Sequence, residues 1–178
     1  GEMLKRLEKE GLIKRGARRG ALLTDEGQEL AEKVVRQHRI IERFLTDFLG
    51  YSPAESHVYA DEMGDAFNDD MIERLSEQLG GPDRCPHGWP VDPAFEREEN
   101  PSLQPLSTVP VGSRATVVRL AEHEGDLLHW FYDNGYPPTT ELTVDRVDDA
   151  AEMLSVTVGD ESRSISTHAA SGLFVRVD

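Results

Sequence analysis

The sequence predicts an α+β protein with helices in its first part and a small antiparallel β unit in its last part. Up to about residue 80, apolar residues recur at helical spacing, interrupted by two short strand-like runs within residues 12–23. From Thr108 onward, apolar and polar residues alternate, which is the period of a β-strand. The 178 residues can bury a core of ordinary size. Because no apolar run approaches the roughly 20 residues that cross a bilayer, we expect no membrane partner.

The first 24 residues are typical of the second half of a winged helix-turn-helix domain. Met3, Leu4 and Leu7 form an apolar stripe, and Gly11 is suited to end that helix. Residues 12–23 then predict two short strands around a turn rich in Gly and Arg. In a winged helix, the helix enters the DNA major groove and the hairpin contacts phosphates. The first helix begins without a start methionine or an N-cap, so we expect the chain to be a fragment.

The charge distribution supports a DNA contact surface at this end. The net charge of −15 argues against a polyanionic partner, yet residues 1–20 carry seven basic and three acidic side chains, a net of +4. The alternatives are an ordinary solvated hairpin and an acidic body adapted to a salt-rich cytoplasm. The residues predicted to contact double-stranded DNA are Lys5, Arg6, Lys14, Arg15, Arg18 and Arg19.

Three helices are predicted between residues 24 and 79. Thr24 is the N-cap of a long helix, Ser52 opens a capping box, and Asn68 is the N-cap of the third helix. Their apolar faces are too one-sided to close a core alone, so we expect a homodimer. The lone cysteine, Cys85, fits a reducing compartment, and we expect a cytoplasmic protein.

Five potential metal ligands follow the helical interval on these helices. His38 and Glu42 stand four apart, and so do His57, Asp61 and Asp65. Burying such groups is costly unless a cation or hydrogen bonds compensate them. The mixed nitrogen and oxygen donors suit Mn²⁺ or Fe²⁺, with Zn²⁺ or Co²⁺ as surrogates. The alternatives are a hydrogen-bonded core histidine and a solvated acidic face.

The remaining segments carry weaker signals. Cys85 and His87 lie two apart without a second pair at zinc-site spacing, so they predict a tight turn. Residues 99–107 are interpreted as a linker, and residues 108–178 predict five strands and one helical turn in a small, partly open barrel. The sequence has no Gly-rich phosphate loop and no His-Glu-x-x-His motif, so we expect no catalytic residues and no enzyme.

The chain resembles the diphtheria toxin repressor family of metal-dependent (iron or manganese) transcriptional regulators. The resemblance is carried by an ordered series of segments within residues 1–90: MLKRLEKEGLIKR, RGALLTDEGQELA, RQHRIIERFLTDFLG and NDDMIERLSEQLGGPDRCPHGWP. It implies a winged-helix part at 1–24, a helical metal-binding and dimerisation domain at 25–98, and an SH3-like domain at 108–178. It also implies repression of metal-uptake genes when the metal is bound.

The resemblance assigns roles to particular residues. His38, Glu42 and His57 stand where the family has ligands of its ancillary metal site. Glu124 lies near the place where the C-terminal domain adds a carboxylate to that site.

The family's other metal site, which triggers DNA binding, departs from the family pattern in this chain. That site takes Cys or Glu, then Glu, then His, whereas this chain has Asp61, Gly64 and Asp65 there. We therefore expect the metal to be held in a rearranged, carboxylate-rich site.

These observations predict a homodimeric repressor that binds operator DNA in response to Mn²⁺ or Fe²⁺ and controls metal homeostasis genes. Two alternatives remain open. One is a metal-binding dimer with a purely structural ion, and the other is a metallohydrolase that uses the same ligands.

Overall fold

The computed structural model describes residues 1–16, 20–122 and 125–178. The N-terminal part consists of helix α1 (Glu2–Lys9) and the antiparallel strands β1 (Ile13–Arg15) and β2 (Ala21–Leu23). Gly11 adopts a φ of 76°, which lets the chain turn back after α1. The hairpin tip that carries Arg18 and Arg19 lies outside the described residues.

Three helices form the next layer: α2 (Asp25–Asp47), α3 (Pro53–Met63) and α4 (Asp69–Gln78). Each begins at the side-chain cap that the sequence predicts. Thr24 accepts a hydrogen bond from the backbone of Gly27, Ser52 forms a complete capping box, and Asn68 caps α4. A side chain at Gly27 would overlap the backbone of Leu12, so α2 packs directly against the start of the hairpin.

The helical core is small. Its buried apolar residues come from α2, α3, α4 and the segment after α4 and are Ile40, Ile41, Leu45, Ala60, Ile72 and Val91. Other large apolar side chains of these helices and of the α2–α3 connection stay exposed, among them Val34, Phe48, Leu49, Val58 and Tyr59.

The segment predicted as a linker contains regular structure. A short helix, α5 (Pro93–Glu99), precedes it and is capped by Asp92. Within residues 99–107 lies strand β3 (Gln104–Pro105), which pairs with the last strand of the chain. Helix α5 has only 7 residues, too few to show a helical period in the sequence.

The C-terminal part is a six-stranded antiparallel sheet in the order β3-β8-β4-β5-β6-β7, and its form fits an SH3-like fold. Besides β3, its strands are β4 (Arg114–Leu120), β5 (Glu141–Asp148), β6 (Met153–Val158), β7 (Glu161–Ser166) and β8 (Leu173–Val177). Helices α6 (Gly125–Asp133) and α7 (Thr167–Ser171) complete this part. The five predicted strands are therefore present, and β3 is an addition. The predicted α+β class is confirmed.

The two parts of the molecule touch through α3 and α6. Ala54, at the start of α3, belongs to the same buried cluster as Leu128 and Phe131 of α6. None of the helices in the described part of the chain is both long and apolar enough to cross a membrane.

Candidate metal centre

Helices α2 and α3 bring three of the predicted ligands together. Nε2 of His38 lies 2.9 Å from Oε1 of Glu42, and Nδ1 of His57 lies 2.8 Å from the same oxygen. The two imidazole nitrogens are 3.1 Å apart. Helix α2 therefore brings His38 to Glu42, four residues on, and α3 brings His57 to the same oxygen. The Glu42 side chain is fully buried, and its Oε1 contacts both the His38 and the His57 imidazole.

A second group of potential ligands reaches Glu42 from the turn after α4 and from the end of β4. Nε2 of His87 lies 3.3 Å from Oε1 of Glu42. The sulfur of Cys85 lies 3.6 Å from a carboxylate oxygen of Glu122. Donor atoms of Glu42, Cys85 and Glu122 all lie within 4.8 Å of one another. Glu42 therefore belongs to two overlapping ligand sets, one with imidazoles and one with a thiol and a second carboxylate.

Tyr132 of α6 sets the tautomer of the neutral His87 ring. Its hydroxyl donates a hydrogen bond to the carbonyl oxygen of Pro86, at 2.9 Å, and lies 3.0 Å from Nδ1 of His87. Because that hydroxyl hydrogen is already used, its oxygen accepts from Nδ1–H. Nε2 of His87 then carries a lone pair and faces the Glu42 carboxylate. This is the tautomer that a metal-binding imidazole needs.

Two buried polar atoms at this point are left without partners. Among the described residues, none forms a hydrogen bond with Oε2 of Glu42 or with Nε2 of His87. Both side chains are fully buried, and an unpaired buried acceptor costs free energy. Nε2 of His87 lies 3.3 Å from the other oxygen of Glu42, Oε1, and two acceptors this close are the arrangement that a cation would stabilise. The donors present therefore fit a divalent metal ion.

The charges of the cluster are strongly coupled. Burial acts to raise the pKa of Glu42, but hydrogen bonds with His38 and His57 outweigh it and hold the pKa well below its usual range. The hydrogen bond to Glu42 raises the pKa of His57 despite partial burial.

The pKa values of Cys85 and Glu122 are raised, whereas that of Glu42 is lowered. Burial and the charge of Glu42 raise the pKa of Glu122. Burial, with the charges of Glu42 and Glu122, raises the pKa of the Cys85 thiol well above its usual value. Cys85 therefore carries its proton at neutral pH in the absence of a cation.

Other predicted site residues lie elsewhere. Oδ1 of Asp61 is 3.1 Å from Nδ1 of His38, but the Asp61 side chain is 70% exposed. Asp65 is exposed and, with Gly64, Asp61 and His38, lines a cleft beside α2. The structure therefore does not bring Asp65 to the buried cluster, because α3 ends at Met63 and a 3₁₀ turn (Gly64–Ala66) redirects the chain. Glu124 lies outside the described residues.

The predicted DNA-contact residues that the structure describes are exposed on α1 and β1. Arg6 pairs with Glu10, and Arg15 pairs with Glu8, both on the surface. Lys5 and Lys14 lie on the same two elements.

Sequence reasoning missed the contributions of Cys85, His87 and Glu122. The Cys85–His87 pair is a signal, but alone it predicts a turn because no second pair follows it. The turn is present, since Gly88 donates a hydrogen bond to the Cys85 carbonyl. In that turn His87 contacts Glu42 of α2, and Cys85 contacts Glu122 after β4. Both partners are distant in sequence, so the spacing of residues does not reveal these contacts.

Comparison with known proteins identifies a metal-binding repressor domain and a second domain after it. Residues 24–92 match the model of the iron dependent repressor, metal binding and dimerisation domain, and residues 104–177 match the FeoA domain. The iron-dependent repressor IdeR of Mycobacterium tuberculosis is 31% identical over 156 residues, which cover 81% of this chain and 68% of that protein.

Solved structures extend the likeness to nearly the whole chain. A manganese-dependent transcriptional repressor in complex with manganese is 29% identical, with a TM-score of 0.87 over 98% of this chain and 82% of that one. IdeR of T. acidophilum gives 0.81 at 25% identity, over 99% and 81% of the two chains. The chain belongs to the IdeR and diphtheria toxin repressor family of metal-dependent transcriptional regulators.

Proposed function

We propose that this protein is a transcriptional repressor that binds Mn²⁺ or Fe²⁺ at Glu42 and, with metal bound, holds operator DNA as a homodimer. The observation that carries the proposal is the fully buried Glu42 carboxylate, which has one unpaired oxygen and faces the bare Nε2 of His87. Relatives named for iron or manganese dependence support the choice of metal.

The proposed ligands are Glu42, Cys85, His87 and Glu122, with His38 and His57 on the other side of Glu42. An imidazole and carboxylates suit Mn²⁺ and Fe²⁺, and the thiol makes the site softer than one of oxygen donors alone. Since Glu42 belongs to both sets, its two oxygens can serve two neighbouring cation positions. Zn²⁺ and Co²⁺ are expected as surrogates.

Helix α2 links this site to the DNA-binding surface. It runs without a break from Asp25 to Asp47 and begins directly after the β1–β2 hairpin. Glu42 therefore lies on the same rigid helix that the hairpin leads into. Glu42, Cys85 and Glu122 would hold an ion where α2, the turn after α4 and the C-terminal sheet meet. Bound there, the ion would supply the charge that ties α2 to these elements, so that the β1–β2 hairpin before α2 would favour one position over others.

The proposed dimer uses the exposed apolar side chains of the helical part. Val34, Val58 and Tyr59 are each more than a third exposed, although they lie on α2 and α3. A second copy would cover such faces. The relatives named as metal-dependent repressors favour this function over a metallohydrolase.

The test is selection of DNA from a random-sequence duplex library by the full-length protein, with and without Mn²⁺. Binding to the enriched duplex is then measured by fluorescence anisotropy. We expect Mn²⁺ to strengthen binding by about 5- to 150-fold, the usual range of allosteric coupling. Glu42→Gln should abolish the metal effect, whereas Glu62→Gln, at an exposed position of α3, should retain it. Metal binding without any change in DNA affinity would instead indicate a structural ion.

A further inference from the structure

We propose that Trp89 is a positioning residue that aligns the three parts of the proposed metal site. The inference rests on the proposed function, because it concerns the same ligands. The guanidinium carbon of Arg39 lies 5.5 Å from the centre of a Trp89 ring, and that of Arg119 lies 4.9 Å from it. Cationic groups at such distances are attracted to the π face, most strongly where water is excluded. Arg39 and Arg119 are 6% and 1% exposed.

Three contacts of Trp89 end close to a proposed ligand in the sequence. Arg39 directly follows His38 on α2. The indole N–H donates a hydrogen bond of 2.7 Å to the carbonyl oxygen of Leu120, two residues before Glu122. The Trp89 carbonyl accepts a hydrogen bond of 2.8 Å from the backbone N–H of Cys85 and closes the turn that carries both Cys85 and His87.

Helix α5 holds the two arginines in place. Arg39 donates to Oε2 of Glu96 at 2.9 Å and to the carbonyl oxygen of Pro90 at 2.7 Å. Arg119 donates to Oε2 of Glu99 at 2.6 Å. Both buried cations are therefore compensated, and the rings and guanidinium groups form a fixed contact rather than a mobile one. Residues that orient metal ligands in this way commonly change metal affinity by about 10- to 100-fold when they are replaced.

The experiment is a titration of the intact protein with Co²⁺, followed by absorption spectroscopy. A thiolate ligand gives a sulfur-to-cobalt charge-transfer band in the near ultraviolet, whereas the visible ligand-field bands report the remaining donors. We expect Trp89→Ala to weaken Co²⁺ binding by about 10- to 100-fold and to diminish the charge-transfer band relative to the ligand-field bands. Trp89→Phe keeps a ring but lacks the N–H, so its effect should be intermediate. Phe95→Ala, at a 60% exposed position of α5, is the control and should match wild type.

The outcomes separate this inference from the proposed function. Wild-type affinity and an unchanged spectrum in Trp89→Ala would overturn the positioning role. A lower melting temperature with an unchanged spectrum would also overturn it, because Trp89 would then be only structural. If Trp89→Ala does not fold, Trp89→Phe and Arg119→Lys decide by the same criteria. A wild-type protein without Co²⁺ affinity would contradict the proposed function itself.

Discussion

Replacing Cys85 with Ser should lower by about one the number of protons released when Mn²⁺ binds. Burial and the neighbouring carboxylates raise the pKa of the Cys85 thiol well above its usual value, so it is protonated near neutral pH without metal. A cysteine binds metal as the thiolate, so binding must release that proton. Each released proton makes the affinity rise about tenfold per pH unit. The serine variant keeps nearly the same shape but has no acidic proton to lose.

The assay is isothermal titration calorimetry in two buffers of different ionisation enthalpy at the same pH, which counts the protons directly. The raised pKa of His57 adds a further fraction of a proton towards lower pH, in wild type and variant alike. The difference of about one between the two proteins should therefore persist from pH 7 to pH 8. Equal proton counts would refute the assignment of Cys85 as a ligand.

Four further predictions concern stability, DNA contact and the limits of the site. Ile165→Ala, in the core of the C-terminal sheet, should lower the free energy of unfolding by about 2–5 kcal/mol in urea titrations. Arg18→Ala with Arg19→Ala should weaken binding to every DNA duplex and reduce the salt slope by about one per lost phosphate contact. Asp65→Ala should change Mn²⁺ affinity by no more than about twofold, because Asp65 lies outside the buried cluster. Burial opposes ionisation of Glu99, yet its arginine partners lower its pKa to about 2. Ionised Glu99 should therefore add its full contribution to the free energy of unfolding above its ordinary pKa, and urea titrations at decreasing pH should show that contribution lost as the pH falls towards 2.

Each of these has a control or a contrary outcome. Val111→Ala, at a position 56% exposed, should change stability by no more than about 0.5 kcal/mol. A loss of affinity for only one DNA sequence in the double arginine variant would mean that the wing reads bases. Glu99→Gln should remove the part of the acid dependence that belongs to Glu99, and an unchanged profile would contradict that account. Strongly weakened metal binding in Asp65→Ala would place that residue in the coordination shell.

Local signals in the sequence are sufficient to predict helices α2, α3 and α4 and half of the candidate site. Caps such as Ser52 act on groups within three residues, and the interval between His38 and Glu42 is set by helix geometry alone. Both can therefore be read without knowledge of the fold. The five predicted strands follow from alternation, which is equally local.

Contacts between distant segments could not be predicted in the same way. Cys85 and His87 become a candidate site only because the C-terminal sheet places Glu122 and Tyr132 against them. The structure brings Glu122, after β4, to the site, whereas Glu124 lies outside the described residues and stays a prediction. Loop spacing has no period that would fix such a position. The division into domains at 24, 98 and 107 stays a prediction.

The central claim is that the metal binds at Glu42, and anomalous scattering tests it most directly. Crystals of the protein grown with Mn²⁺ should give an anomalous difference peak, at the manganese edge, within bonding distance of a Glu42 carboxylate oxygen. Its other nearest atoms should belong to His87, Cys85 and Glu122. A peak found only beside Asp61 and Asp65, or no peak at all from a crystal that contains Mn²⁺ in excess, would contradict the account.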